Sequence, residues 1–188
     1  MTHVLAGYRV VSREARPDWQ DQGLPEGPLV SMSDCVSTLV PADPDGWDEW
    51  FGDPASAEAA RAGRQGLHVI EVGIAVRDVE ALLADVAEGG WDAAAGSLPG
   101  RLARAEPVTG SGVLGFELVG YDSGGWHTWM CLGGLVDDVR EATGVRPGRW
   151  GLVQDEQEAR VAADWLTASG LGDPKVFFWV AARIAGSG

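Results

Sequence analysis

The run from Val113 to Asp122 places Leu114, Phe116 and Leu118 on one side of an extended chain and Glu117, Val119 and Tyr121 on the other. This two-residue period marks a strand with one well-buried face. Across Ser123-Gly-Gly the pattern changes: Trp129, Leu132, Val136 and Val139 follow at spacings of 3, 4 and 3. That is a helical stripe, with Thr128 available as N-cap and Gly144 as the terminating residue. A central strand that turns into a helix commits the chain to a sheet with helices packed on it.

The remaining segments supply the other layers. Residues 3 to 12 read as a first strand of mixed polarity, placed towards an edge, and Pro17, Pro25 and Pro28 mark the loop after it. Leu29 to Val40 alternates weakly and reads as a short strand. Asp53-Pro54 supplies an N-cap and first helical residue for a helix through Arg64. Leu67 to Val76 is apolar nearly throughout, as a strand buried on both faces is, and Asp78 caps a helix bearing Val79, Leu82, Leu83 and Val86 on one face. Residues 89–111 form a long connection, expected to be a mobile loop, with room for a helical turn near Leu102 to Glu106. Arg149 to Val153 reads as a short strand, Asp155-x-x-Glu158 is a capping box for a helix ending at Gly170, and Lys175 to Arg183 is a final strand. The expectation is one α+β domain over residues 1–188, a mixed sheet of about five strands packed with three to four helices.

Charge narrows the partners. A net charge of −14 over 188 residues disfavours nucleic acid and anionic membrane surfaces. The longest apolar run, Val176 to Ala182, is too short to span a bilayer, and no secretory signal opens the chain, so a cytoplasmic protein is expected. Arg outnumbers Lys 13 to 1 with abundant Ala and Gly, the usage of a GC-rich bacterial genome. Between Asp18 and Ala60 stand ten acidic residues and no Lys or Arg. Within that gap Trp47 and Trp50 lie among Asp43, Asp45, Asp48, Glu49 and Asp53. Aromatic anchors in a field of one sign are the composition of a face that binds a basic partner. The competing reading is a solvated acidic loop with one Trp tucked into the core.

Other constellations are weighed against plain packing. His127 and Cys131, four apart, share a face if helical, and with Asp122 they outline an alternative pocket for a small enzyme or small-molecule binder. Cys35 and His68 complete a set of zinc-ligand types, but no local Cys-x-x-Cys or His-x-x-x-His pair exists. The cysteines therefore read as buried hydrophobes, with no metal and no cofactor. Gly133-Gly134 within a helical stripe suggests close packing of that helix on the sheet. Glu117 reads as outward-facing, the alternative being a buried charge that needs a partner.

Gly115-Phe-Glu-Leu-Val-Gly-Tyr-Asp122, His127-Thr-Trp-Met-Cys131, Trp150-Gly-Leu-Val and Glu158-Ala ahead of a helix resemble the C-terminal half of small immunity proteins encoded beside bacterial polymorphic toxins. Ser33-Asp-Cys-Val36, followed by Trp47 and Trp50, is compatible with their N-terminal part; the better match covers residues 113–182. The resemblance implies a cytoplasmic, non-enzymatic protein that binds a cognate toxin and occludes its active site, with no catalytic residue to transfer. A strongly acidic antidote suits a basic toxin, a nuclease in particular.

Overall fold

The computed structural model describes residues 3–15, 23–42, 50–88, 98–109, 112–122, 125–172 and 176–184. Among the described residues six strands and five α-helices follow in the order β1 (His3–Ser12), β2 (Leu39–Val40), α1 (Pro54–Arg61), β3 (Leu67–Ala75), α2 (Val76–Glu88), α3 (Leu98–Ala103), β4 (Gly112–Asp122), β5 (Gly125–Thr128), α4 (Leu135–Thr143), α5 (Glu156–Ser169) and β6 (Phe177–Ile184). The strands form one antiparallel sheet in the order β2-β1-β3-β6-β4-β5, where the sequence suggested a mixed sheet of about five. Among the described residues no helix is long and apolar enough to cross a membrane.

The chain divides into two compact units. The first comprises Met1–Ser12, Leu39–Leu114 and Ala181–Gly188, the second Arg13–Thr38 and Gly115–Val180. In the first, β1 pairs with both β2 and β3 and lies one strand in from the end of the sheet, towards an edge as expected. Its polar residues His3 and Arg9 are buried. A register shift between Leu5 and Gly7 brings Leu5 onto the same face as Tyr8 and Val10. These pack with Val40, Phe51, Ala57 and Val69 as one apolar cluster. Asp53 caps α1 as expected, accepting from the Ser56 N–H at 2.9 Å and the Ser56 hydroxyl at 2.8 Å. Those bonds hold its carboxyl below the usual value of 3.8. A carboxyl depressed on folding contributes to stability at neutral pH and loses that contribution as pH falls through the folded value.

In the second unit β4 and β5 form a hairpin, with Tyr121 opposite Trp126 and Gly120 opposite His127. The Tyr121 and Trp126 rings meet edge to face at 5.4 Å. Residues 125 to 128 are thus a strand and not the entry to a helix. Trp129 extends the hairpin by donating its N–H to the Leu118 carbonyl, and α4 begins at Leu135. The helical stripe misled because Trp129 and Val136 are buried from different backbone conformations. Gly134, at φ 83°, precedes the helix, and Gly144, at φ 78°, ends it as expected. α5 follows its capping box, Asp155 accepting from the Glu158 N–H at 3.0 Å, with Ala159, Ala162, Ala163 and Leu166 buried. Arg149–Gly151 is a 3-10 turn where a strand was expected, although Val153 does bridge Phe116.

The glycine expectation is corrected at the same place. Gly133 lies in the turn before α4, and a Cβ there would meet nothing within 4 Å. The close approach occurs instead at Gly115, where a Cβ would stand 2.6 Å from Leu152 Cβ and 2.9 Å from the Val153 carbonyl oxygen. Backbone on one side leaves nothing free to yield. Gly115→Ala should therefore destabilise by about 1–3 kcal/mol, while Gly133→Ala leaves the urea midpoint within experimental scatter. Equal midpoints for the two variants would refute the β4 packing described.

Candidate functional site

Glu117 is the organising side chain of the second unit, and it is buried, with 0% of its surface exposed. The outward reading fails because its strand position faces a serine-rich turn and not solvent. Ser31 donates its hydroxyl to Glu117 Oε1 at 2.5 Å, and the Met32 N–H donates to Oε2 at 2.7 Å. Both carboxylate oxygens are thereby met, as a buried charge requires.

The turn that supplies these donors runs from Ser31 to Ser37, inside the segment expected to be a strand. Each of its serines bonds to nearby backbone. Ser31 N–H donates to Ser37 Oγ at 2.9 Å, Ser33 N–H to Ser31 Oγ at 2.9 Å, and Cys35 N–H to Ser33 Oγ at 3.3 Å. Val36 and Ser37 N–H groups donate to the Ser33 carbonyl. Serine hydroxyls offer the backbone an alternative to a strand ladder, and here that alternative is taken. Leu39–Val40 is what remains of the expected strand.

The turn brings the two cysteines together. Ser33 Oγ lies 4.0 Å from Cys131 Sγ, and the same Oγ accepts from the Cys35 N–H. Cys131 also donates to the Thr128 carbonyl at 3.3 Å. Neither cysteine is the fully buried hydrophobe expected: Cys35 is exposed and Cys131 half-buried. Burial, and then the neighbouring Cys35, push the Cys131 thiol up to about 12. Of the alternative pocket, His127 is half-buried on β5 and Cys131 follows in the next turn, so the two do not share a helix face. The Asp122 side chain is outside the described residues. Cys35 joins Cys131, while His68 lies on β3 of the first unit. Among the described residues no three His, Cys, Asp or Glu side chains group as metal ligands.

The first unit holds a second buried carboxylate. Glu71, also 0% exposed, accepts from the Thr109 N–H at 2.9 Å, the Thr109 hydroxyl at 2.8 Å and the Tyr8 hydroxyl at 3.3 Å. Burial raises the Tyr8 phenol above its usual range, Thr109 opposes this, and the Glu71 charge adds to the rise, so Tyr8 remains a donor. Arg9 and Arg101 are buried as well. Arg9 lies over the Trp50 ring at 4.6 Å, and Arg101 Nε donates to the Ala6 carbonyl at 2.8 Å.

That cluster revises the proposed acidic face. Trp50, read as outside the core, is only 7% exposed and packs under Arg9, because Phe51 pairs with Tyr8 and draws the preceding residue inward. Asp53 is exposed at the start of α1. Asp43, Asp45, Trp47, Asp48 and Glu49 lie outside the described residues. Nothing in the residue order marks the approach of the Cys35 turn to Cys131, although the Ser-x-Ser-x-Cys spacing of the turn is open to reading. Comparison with known proteins finds no matching family model, curated relative or solved structure.

Two outcomes test this geometry. Glu117→Leu, which leaves the Ser31 hydroxyl and Met32 N–H without their acceptor, should cost about 2–5 kcal/mol in urea unfolding. Glu117→Gln should cost less, because its amide oxygen still accepts from Met32. A thiol reagent at pH 8 should modify Cys35 rapidly and Cys131 slowly, since only about 1 in 10⁴ of a thiol titrating near 12 is ionised there. Equal rates at the two thiols would show that the turn is open.

Proposed function

We propose that this protein is a non-enzymatic inhibitor that binds a basic toxin domain and occludes it. The observation that supports this reading most is the placement of charge. Among the described residues the buried charges are Arg9, Arg101, Glu71 and Glu117, two of each sign. They cancel, and the acidic surplus is left to the surface. Twelve exposed carboxylates face six exposed guanidinium groups among the described residues, and Arg77 and Arg104 of those six are paired with Asp78 and Glu106. A surface of that sign accelerates encounter with a cationic protein and excludes polyanions. The immunity-protein resemblance points to the same class of partner.

The binding face is assigned to the acidic segment around Asp43, Asp45, Trp47, Asp48 and Glu49, with Asp53 at its border. Trp50 is reassigned to the core. The test uses a toxin domain encoded by an adjacent gene, with association followed at two ionic strengths. Replacing Asp45, Asp48 and Glu49 by their amides should slow association and flatten its salt dependence, since peripheral charges act mainly on the on-rate. Trp47→Ala should instead speed dissociation, by about 2 kcal/mol if it anchors the interface. Asp53→Asn is the control, because asparagine caps a helix equally well. Trp50→Ala should lower stability by about 3–5 kcal/mol. Unaltered rates in folded Asp45, Asp48 and Glu49 variants would remove this segment from the interface.

A further inference from the structure

We propose that Cys35 and Cys131 form a reversible disulfide site, closed by exchange with a low-molecular-weight disulfide. The geometry rests on how the two thiol-bearing turns are anchored. The Ser31 to Ser37 turn is fixed to β4 through Glu117, which accepts from Ser31 and Met32. The turn after β5 is fixed to the next residue of the same strand, because the Trp129 N–H donates to the Leu118 carbonyl at 3.0 Å. Adjacent residues of one strand therefore hold both thiols. Ser33 closes the arrangement, its Oγ accepting from the Cys35 N–H at 3.3 Å and lying 4.0 Å from Cys131 Sγ. Ser33 thus touches both cysteines, Cys35 is the group that acts on the Cys131 thiol, and Cys35 opens to solvent.

Exposure sets the order of steps. The Cys35 thiolate attacks one sulfur of the oxidant RSSR, the S–S bond breaks, and a Cys35–SR mixed disulfide forms as RS⁻ leaves. The Cys131 thiol then gives its proton to solvent and attacks the Cys35 sulfur. The Cys35–Cys131 bond forms and a second RS⁻ leaves, so two protein thiols are oxidised as RSSR is reduced to two thiols. Burial keeps Cys131 protonated, which makes this second step the slow one. The product ties the serine-rich turn to the β5 turn and removes freedom from the unfolded chain over the long segment between them.

The experiment equilibrates the whole protein with mixtures of oxidised and reduced glutathione, quenches with acid, and measures intact mass and linked peptides. The expected product is a monomer lighter by two hydrogens, yielding a peptide pair joined through Cys35 and Cys131, and melting at a higher temperature than the reduced protein. In Cys131→Ser, or in Cys131→Ala should the serine variant fold poorly, the glutathione adduct should persist on Cys35 at least about tenfold longer than in the unaltered protein. An adduct equally long-lived in the unaltered protein, or a dimer linked through Cys35 alone, would overturn the proposal.

Discussion

A carboxylate buried without solvent must have each oxygen satisfied, and Glu117 meets that requirement with a turn 85 residues earlier in the chain. The interaction imposes structure in both directions. β4 can place a charge in the interior because Ser31 and Met32 come to it, and residues 31 to 37 hold their tight turn because β4 offers an acceptor. Removing one partner leaves the other desolvated and unpaired, which costs more than the bond itself contributes. Glu71 repeats the device in the first unit, with Thr109 and Tyr8 as donors. Two loops are thus tied to two strands by carboxylates as well as by apolar packing.

This use of buried acid clarifies what the rest of the acid does. Part of the surface charge has local work to perform: Asp53 and Asp155 cap α1 and α5, and Asp137 and Asp138 lie in the first turn of α4, where the helix dipole favours negative charge. Exposed pairs such as Arg61 with Glu58 contribute little beyond that. Caps and dipole partners account for a handful of positions. They do not account for an excess of 14 negative charges over 188 residues, and net charge of this size opposes folding through self-repulsion. That surplus is the charge a basic partner of the proposed kind would meet.

Local signals were legible wherever one backbone conformation served one purpose. The Asp53-Pro54 start of α1, the Asp155 to Glu158 capping box, the glycine ends of α4 and α5, and the apolar strand β3 were all readable from residue type and spacing. Reading failed where a tertiary partner decided the outcome. The apolar spacing from Trp129 to Val139 fits a helix, yet Trp129 answers to Leu118 across the hairpin. Alternation from Leu29 to Val40 fits a strand, yet the serine hydroxyls and Glu117 make it a turn. Trp50 suggested a surface, because its acidic sequence neighbours do not reveal that it stacks under Arg9. The candidate site is of this second kind throughout, since every contact that builds it joins residues far apart in sequence or depends on the turn those contacts fold.

The two parts of the molecule that carry functional proposals differ in physical range. Surface acid acts collectively over about a Debye length, 8–10 Å at physiological salt, and tolerates changes in individual side chains. The thiol pair acts through contact and depends on the position of one turn. Because Glu117 fixes that turn, the thiol chemistry is tied to the same carboxylate that stabilises the second unit, while the acidic surface is not. Loss of the Glu117 contacts would free Cys35 from Cys131 and leave the surface field unchanged. The thiol site and the charged surface are therefore separable by substitution, which gives each a basis for test that does not borrow from the other.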